Sequence, residues 1–533
     1  MCKKSFSIYF LLTQLCLIYC SPSWGQPLDN LIKGTVIPLR SALLLGIEKN
    51  LDIKASEINI SIQGTKADAK SSEFDATLET TVSAREDEEP SASAFSTDTY
   101  NNDKSYGANI ALKKKFHSGL NSQISLATDR SVDNSSIDAL MPHYNDSIIL
   151  DLSQPLLRDM GAEINTAGLR ISTNGIRLAA NRYISHAQGV AKEIEMLYFD
   201  LTKGWEILEH RMESRRLALE LLSGNQGKFK AGIVPVTEVQ EAETAVVARD
   251  EQVLLARQNI EILSNQLKNF LEIRLGNPMD KGIFKPEGLA PVAHNSVYAM
   301  KQALSIAFEK RLDLKNKQLE ITNQNINLKY HKNQRLPRLD LKATLGLNGL
   351  SGGRRAVNLP GITSDPSPSP YEGSYDDAFS SMIKGDGYEY YFGLHFSYPI
   401  GNRLARANYL RAVREKRQTI CNLKRLEGRI ETEVQNAMVS VKRSLERVEV
   451  AEQFMSLAGI SLCQEMERLK KGLSDTFRVL TFQDNLLKAR IRRITALTDV
   501  MKGLAQLYHV MGTNLERYNI LIKINMEALR NEG

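Results

Sequence analysis

The sequence predicts a mixed α and membrane-β protein built from a duplicated half-unit, with long antiparallel helical hairpins running into β strands. Three observations carry this reading. The stretch Ser41–Lys54 returns as Gln302–Lys315 at a constant offset of 261 residues, pairing Glu48 and Lys49 with Glu309 and Lys310 and, further on, Leu78 with Leu339. A repeat this large points to one architecture of two similar halves. Each half holds an unbroken run of about 65 residues with apolar spacing near seven. Between the helical runs lie segments of about ten residues with period two.

Composition narrows the class. The formal net charge of +6 is small for 533 residues, and its Lys and Arg are scattered, so no nucleic-acid stripe is implied. The eight His and five Cys form no HExxH or CxxC spacing, so no metal site and no cofactor are expected. Residues 1–25 read as a signal peptide: Lys3 and Lys4, an apolar run Phe6–Tyr19, then Ser23, Trp24 and Gly25 before Gln26. Lipidation at Cys20 is disfavoured by the bulky Tyr19 before it. After the signal no apolar run reaches the length of a membrane helix. Cys421 and Cys463 fall on one predicted helix, roughly 60 Å apart, so they do not bridge.

In order, residues 26–280 form the first repeat. A helical run, about Leu39–Ser72, precedes strands over about 76–155 and a helical hairpin over about 162–272. Glu163–Phe229 carries heptad positions Tyr183, Val190, Leu197 and Ala187, Ile194, Leu201, Leu208, the period of helices packed nearly parallel over a great length. It returns through Pro235–Leu271. Residues 281–533 repeat the plan. A run over about Val297–Asn333 leads to strands over about 338–398, a hairpin over about 403–510 and a C-terminal tail. The two shorter runs of each half, laid end to end, match one long helix of roughly 100 Å.

The strand segments alternate cleanly. Leu339, Leu341, Ala343, Leu345 and Leu347 interleave with Asp340, Lys342, Thr344, Gly346 and Asn348; Tyr388, Tyr390, Phe392, Leu394 and Phe396 interleave with Glu389, Tyr391, Gly393 and His395. Tyr106–Phe116, Leu120–Ala127, Ile148–Ser153 and a weaker Ala76–Arg85 do the same. One apolar and one polar face in ten-residue segments fits a barrel with lipid outside and water inside. A soluble β-sandwich alternates too; the export signal and the Tyr-rich last segment favour the membrane. The tight connection His117–Gly119 makes Tyr106–Phe116 and Leu120–Ala127 a hairpin, which gives six membrane strands per chain if it joins the barrel and four if it stands outside the barrel wall. Gly349–Gly387, rich in Gly, Ser, Pro and Asp, reads as a long outer loop tolerant of insertion.

Two junctions and two turns stand out. Gln154, Pro155, Arg158 and Gly161 end one strand and open the longest helix; Pro399 and Gly401 do so in the second repeat. Proline stops a ladder because it donates no backbone hydrogen bond, and glycine frees the chain to redirect. The first turn holds Gly232, Val234, Pro235, Thr237 and Glu238, the second Gly472, Leu473, Ser474, Asp475 and Arg478. Gly232 and Gly472 suit helix C-caps, Pro235 an opening turn, and Ser474 or Asp475 an N-cap.

With these marks the chain resembles the outer-membrane efflux proteins, the TolC family. The resemblance implies a homotrimer in which the hairpins form an α-barrel continuous with a shared outer-membrane β-barrel, the helices standing in the periplasm. It further implies an exit duct for small molecules, served by a periplasmic adaptor (membrane fusion) protein and an inner-membrane pump. The turns would then be the periplasmic tips, carrying adaptor docking and the gate. Family members often carry acidic residues where this chain has Arg478 and Thr481, so a positive rather than acidic field is expected at the second tip, with Glu238 pairing to Arg478 between neighbouring hairpins; the alternative is that these long side chains simply point into solvent. Rival readings are an outlet for type I protein secretion and, in another class, a periplasmic coiled-coil scaffold. An enzyme is not expected, because no Ser, Cys or His sits in a nucleophile–base motif and Ser351–Arg355 lacks the Lys-Ser/Thr of a phosphate loop.

Overall fold

The computed structural model describes residues 34–91, 99–135, 138–274, 276, 282–288, 298–359, 362–364 and 368–522; the signal segment and Cys20 lie outside them. The first repeat runs β1 (Gly34–Ile37), α1 (Leu39–Lys49), α2 (Leu51–Ser71), β2 (Thr77–Pro90), β3 (Tyr100–Lys115), β4 (Asn121–Asp133), β5 (Leu140–Pro155), α3 (Ala162–Asn165), α4 (Ala167–Lys230) and α5 (Val236–Phe270). The second runs β6 (Ile283–Pro286), α6 (Met300–Lys310), α7 (Leu312–Asn333), β7 (Arg338–Arg354), β8 (Val357–Leu359), β9 (Ile362–Ser364), α8 (Tyr375–Lys384), β10 (Gly387–Ser397), α9 (Arg403–Lys470), α10 (Thr476–Val510) and α11 (Asn514–Arg517). The repeat offset is 261 from Leu39 to Met300 but 240 from Val236 to Thr476. The shift arises in the strand region, where the first repeat carries the additional hairpin β3–β4.

The half-length run before the strands is, in each repeat, two helices with a bend. At the first bend the Asn50 side chain accepts from the Asp52 and Ile53 amides at 3.0 and 3.2 Å, capping α2. At the equivalent second bend stands Arg311, which instead pairs with Asp313 at 2.7 Å and Glu433 at 2.5 Å. The helices pack in two tiers along α4 and α9. One tier has the order α2–α4–α7–α9 and the other α5–α4–α10–α9. Asn174–Asn323 and Asn181–Asn316 side-chain bonds tie α4 to α7, and Arg211 to the Gln252 carbonyl ties α4 to α5.

Two apolar cores hold the layer. One gathers Leu43, Ile53, Ile194, Leu201, Leu208, Ile260, Leu267 and Phe284; the other gathers Leu314, Ile430, Val434, Val441, Leu504 and Leu507. Burying each such side chain contributes about 1.5–3 kcal/mol. Fully buried Ala187, Ala191, Ala303 and Ala307 bring the helix axes close. The short parallel pair β1–β6 joins the start of one repeat to the start of the other. It was not legible as a strand pair, because four residues carry no period.

The larger sheet is antiparallel, in the order β10-β7-β5-β4-β3-β2. The hairpin β3–β4 lies inside it, between β2 and β5. The Gly349–Gly387 loop expectation needs correction. Strand β7 continues to Arg354, β8 and β9 form a small hairpin, and α8 folds back onto β7 and β5.

Near the bends, α11 packs against α4 and closes a belt of buried polar groups. Gln188 donates to the Gly512 carbonyl and Asn514 to the Gln188 carbonyl, at 2.9 and 2.8 Å. Tyr518 donates to Glu195 at 3.1 Å, and Arg517 lies 4.0 Å from the same carboxyl. Burial pushes Glu195 up to about 7, Arg517 and Tyr518 opposing it, while burial pulls His509 down to about 4. The folded chain thus holds a proton on Glu195 that the unfolded chain has lost, so stability falls as pH rises from about 4.5 through 7. His509 acts on the other side, stability falling as pH drops from about 6.5 towards 4. Glu195→Gln should therefore gain stability relative to the parent as pH rises from 5 to 8, by on the order of 2–3 kcal/mol. Thermal unfolding midpoints in detergent across that range provide the check; a mutant-minus-parent difference that is flat with pH contradicts it.

Candidate functional site

The register of the six strands sorts their side chains into two continuous faces. Leu345 stands opposite Leu150 and Tyr390, Leu150 opposite Ile124, Ile124 opposite Leu112, and Leu112 opposite Leu78. This row is apolar across every strand, and many apolar side chains on its face are exposed, among them Val82 at 79%, Phe396 at 64% and Leu345 at 44%. Soluble monomers rarely leave so contiguous an apolar surface uncovered. From Leu339 to Leu347 the band runs about 27 Å along the strand, or about 20 Å with a tilt of about 40°. That approaches the apolar height of an outer-membrane barrel, about 25 Å. The opposite face is polar. Lys113 pairs with Glu79 at 2.5 Å, Thr344 donates to Asp151 at 2.7 Å, and Arg338 pairs with Asp340 at 2.6 Å.

Both sheet edges are open. Strand β2 on one side and β10 on the other have no strand neighbour within the described residues, and nearly all their residues are exposed. The two edge strands run in opposite directions because the sheet is antiparallel with an even number of strands. A copy of the chain can therefore add its β10 to this β2 without breaking the alternation. The helical tiers end likewise in α2 or α5 on one side and α9 on the other. Their outer faces carry exposed apolar stripes: Leu51, Ile58 and Ile62 on α2; Val247, Leu254 and Ile262 on α5; Val439, Val450 and Leu457 on α9.

Where sheet turns into helix, the two repeats are braided. Strand β5 ends at Pro155, paired to Asp340. Gln154 donates to the Pro155 carbonyl, and the Leu156 amide to Leu339 at 2.7 Å. Arg158 donates to Gln334 at 2.9 Å, and Asn333 accepts from the Asp159 amide at 2.8 Å. Gly161 takes φ +92°, and its amide reaches the Ser118 carbonyl in the β3–β4 turn. In the second repeat Gly401 takes φ +85° after Pro399, and Asn402 donates to the Arg335 carbonyl at 3.1 Å.

The far ends of the hairpins have nearly identical backbones. Gly232 and Gly472 take φ +73° and +72°, and the Ile233 and Leu473 amides reach back to the Lys228 and Arg468 carbonyls, each at 2.9 Å. These are Schellman closures. Pro235 holds the N-cap position of α5 with Val234 half-buried and Thr237 exposed; Asp475 caps α10 through the Arg478 amide at 2.8 Å. Ser474 turns back to buried Glu465. A buried hydroxyl joins the two tips. Thr476 accepts from Asn225 at 2.7 Å and donates to Glu238 at 2.8 Å, while Asn225 also donates to the Glu238 carbonyl. Neither Asn225 nor Thr476 stood out in the sequence. Each looks like an ordinary polar helix residue, and only the meeting of two hairpins buries them.

The tip charges pair locally. Arg478 lies 3.7 Å from Asp475, not beside Glu238, whose carboxyl accepts from Thr476 instead. Lys470 pairs with Glu467 at 2.7 Å and Arg468 with Glu465 at 3.5 Å. The expected positive field of the second tip is thus damped by its own acids, while Ile233, Leu473 and Phe477 stand exposed beside them.

A sheet with one lipid-compatible face, open at both edges and continuous with long helical hairpins, has the form of one segment of a larger wall. Over its second repeat the chain is similar to the outer membrane efflux proteins. Residues 303–513, covering most of the second repeat, match the sequence profile of the family described as outer membrane efflux protein. Among solved structures, the outer-membrane channel OprN aligns with TM-score 0.63 at 13% identity, over 89% of this chain and 90% of that one. The CmeC outer membrane channel of Campylobacter jejuni aligns with TM-score 0.60 at 16% identity, over 96% and 94%. The outer membrane protein VceC of Vibrio cholerae aligns with TM-score 0.61 at 13% identity, over 89% and 96%. At these identities the structural likeness is one of fold. No curated protein sequence matches the chain.

The Thr476 hydroxyl is the tie between tips that a single substitution removes. Thr476→Val keeps the shape but leaves the Asn225 amide and the Glu238 carboxyl without their shared partner, at a cost of about 1–3 kcal/mol. Trypsin should then cut faster after Lys470 and Lys471 than in the parent, with the helical core intact by circular dichroism. Unchanged cleavage rates would mean the tie does not hold the tips.

Proposed function

We propose that three copies of this chain form an outer-membrane exit duct of a tripartite efflux system for small molecules. Residues 26–280 and 281–533 are the two halves of each subunit. The duct is passive: an inner-membrane pump supplies the energy, and a periplasmic adaptor docks at the hairpin tips. The observation that carries this reading is the six-stranded sheet, apolar on one face and polar on the other, with both edges open. Six strands cannot close a barrel alone, since about eight is the practical minimum. Edge strands left unpaired in lipid would each leave a row of backbone groups unsatisfied, so closure by further copies is required. Head-to-tail addition about one axis closes a ring.

With three copies the barrel has eighteen strands, in the range of about 16–18 that leaves an aqueous channel. The apolar band faces outer-membrane lipid, and the helices stand in the periplasm. The exposed stripes on α2, α5 and α9 pack between subunits, and the exposed tip residues Ile233, Leu473 and Phe477 offer the adaptor an apolar surface.

Two measurements test this. Leu254→Asp combined with Val450→Asp puts charge on both unpartnered stripes and should shift the detergent-purified protein from trimer to monomer on native gels. A parent that is itself monomeric, or a variant that stays trimeric, counts against the assembly. At the tip, Arg478→Ala frees Asp475 from its partner in each subunit and makes an acidic ring. Block of the purified channel by millimolar divalent cations in planar bilayers should strengthen in that variant. Strong block in the parent, unchanged by the substitution, would mean an acidic ring already dominates.

A further inference from the structure

Helix α8 lies on the face of the sheet that the duct reading turns towards lipid. A Cβ on Gly349 would meet the Ala378 carbonyl oxygen at 2.0 Å and the Met382 amide at 2.7 Å, so glycine lets the helix seat directly on β7. Ser351 donates to the Ser374 carbonyl at 2.6 Å, and the Tyr375 ring meets Tyr144 edge-on at 5.9 Å. Gly349 and Ser351 alternate in phase with Leu345 and Leu347, and Tyr144 with Ile148 and Leu150, so every contact is on the apolar face. The helix is preformed. Asp377 accepts from the Ser374 amide at 2.7 Å to close its N-terminus, and Gly385 closes its C-terminus at φ +78°.

The arcs of the helix have three different characters. Ala378, Ser381 and Met382 are buried against the sheet. Asp376, Asp377, Ser380 and Lys384 make a polar arc on another side. Between them Tyr375, Phe379 and Ile383, spaced by four, are exposed at 45%, 45% and 61%. This third arc continues the apolar face of the sheet. Tyr375 extends the cross-strand row Ala84, Tyr106, Arg130 and Tyr144. Beneath the helix lies Asp146, opposite Gly349 on the same face. It is only 2% exposed, and its carboxylate has no hydrogen-bond partner among the described residues. The helix therefore also roofs a carboxylate that would otherwise face acyl chains.

We propose that α8 is an interfacial anchor, lying along the outer rim of the barrel with Tyr375, Phe379 and Ile383 inserted into the outer leaflet. The partner is the boundary between lipid headgroups and acyl chains, where an amphipathic helix sinks by about 5–10 Å. Continuity with the apolar band argues for lipid, and the polar arc gives the helix a side for the headgroups. The inference rests on the duct reading, and its test separates the two.

Phe379→Trp and Leu394→Trp are made singly in the full-length assembled protein, which is reconstituted into phosphatidylcholine vesicles brominated at shallow or deep acyl carbons. The fluorescence of the unmodified protein is subtracted, and Ile383→Trp repeats the first measurement one turn on. Trp at 379 and at 383 should lose emission to shallow bromines more than to deep ones, while Trp at 394, inside the band opposite Leu341, responds to deep bromines. Quenching of Trp at 379 by aqueous iodide alone would make α8 a solvent-exposed loop helix and overturn the proposal. Protection from both bromine and iodide would put it against a neighbouring subunit, which also overturns it. If Trp at 394 escapes both lipids as well, the duct reading itself fails.

Discussion

In the proposed duct, the sheet is governed by the rule that a backbone in hydrocarbon must find all its hydrogen-bond partners in protein. A sheet meets that rule only by closing on itself, and six strands do not close. The open β2 and β10 edges are therefore the constraint from which the rest is derived. In the proposed assembly identical neighbours meet them, and the even strand number makes those neighbours fit in an alternating order. The helical tiers carry the same requirement in weaker form, since their unpartnered edges expose apolar stripes rather than bare backbone.

The register has consequences beyond geometry. With a period of two, a slip of one residue would turn Leu341, Leu345 and Leu347 inwards and Lys342 and Thr344 into lipid. The braided junction guards against that slip. Bonds from Leu156, Arg158 and Asp159 to Leu339, Gln334 and Asn333 fix β5 against β7 at the point where each strand meets its helix. Stability and sidedness are thus set by the same few contacts between the repeats.

The two halves also differ at equivalent bends and tips. Asn50 and Arg311 occupy equivalent bends, yet one caps a helix and the other holds two carboxylates. At the tips the equivalents of Asn225 and Glu238 are Glu465 and Arg478, so one tip bonds across to its partner while the other neutralises itself. Duplication supplied the frame, and asymmetry at the bends and tips makes the two hairpins non-interchangeable.

The repeat, the long helices and all six strands were legible in the sequence, because period seven and period two are local signals that burial on one face imposes. Pro155, Gly161, Gly232 and Gly472 were legible too, since their backbone demands are intrinsic. The Asn225–Thr476–Glu238 tie was not, because it joins residues about 240 positions apart that have no individual signature. The pairing of Arg478 with Asp475 rather than Glu238 was decided by the helix N-terminus that holds both within one turn. The segment read as a loop held α8, whose ten residues are too few for a clear helical period. Only the seat at Gly349 on a folded sheet gives that helix its place, and that seat exists only once β5 and β7 are paired.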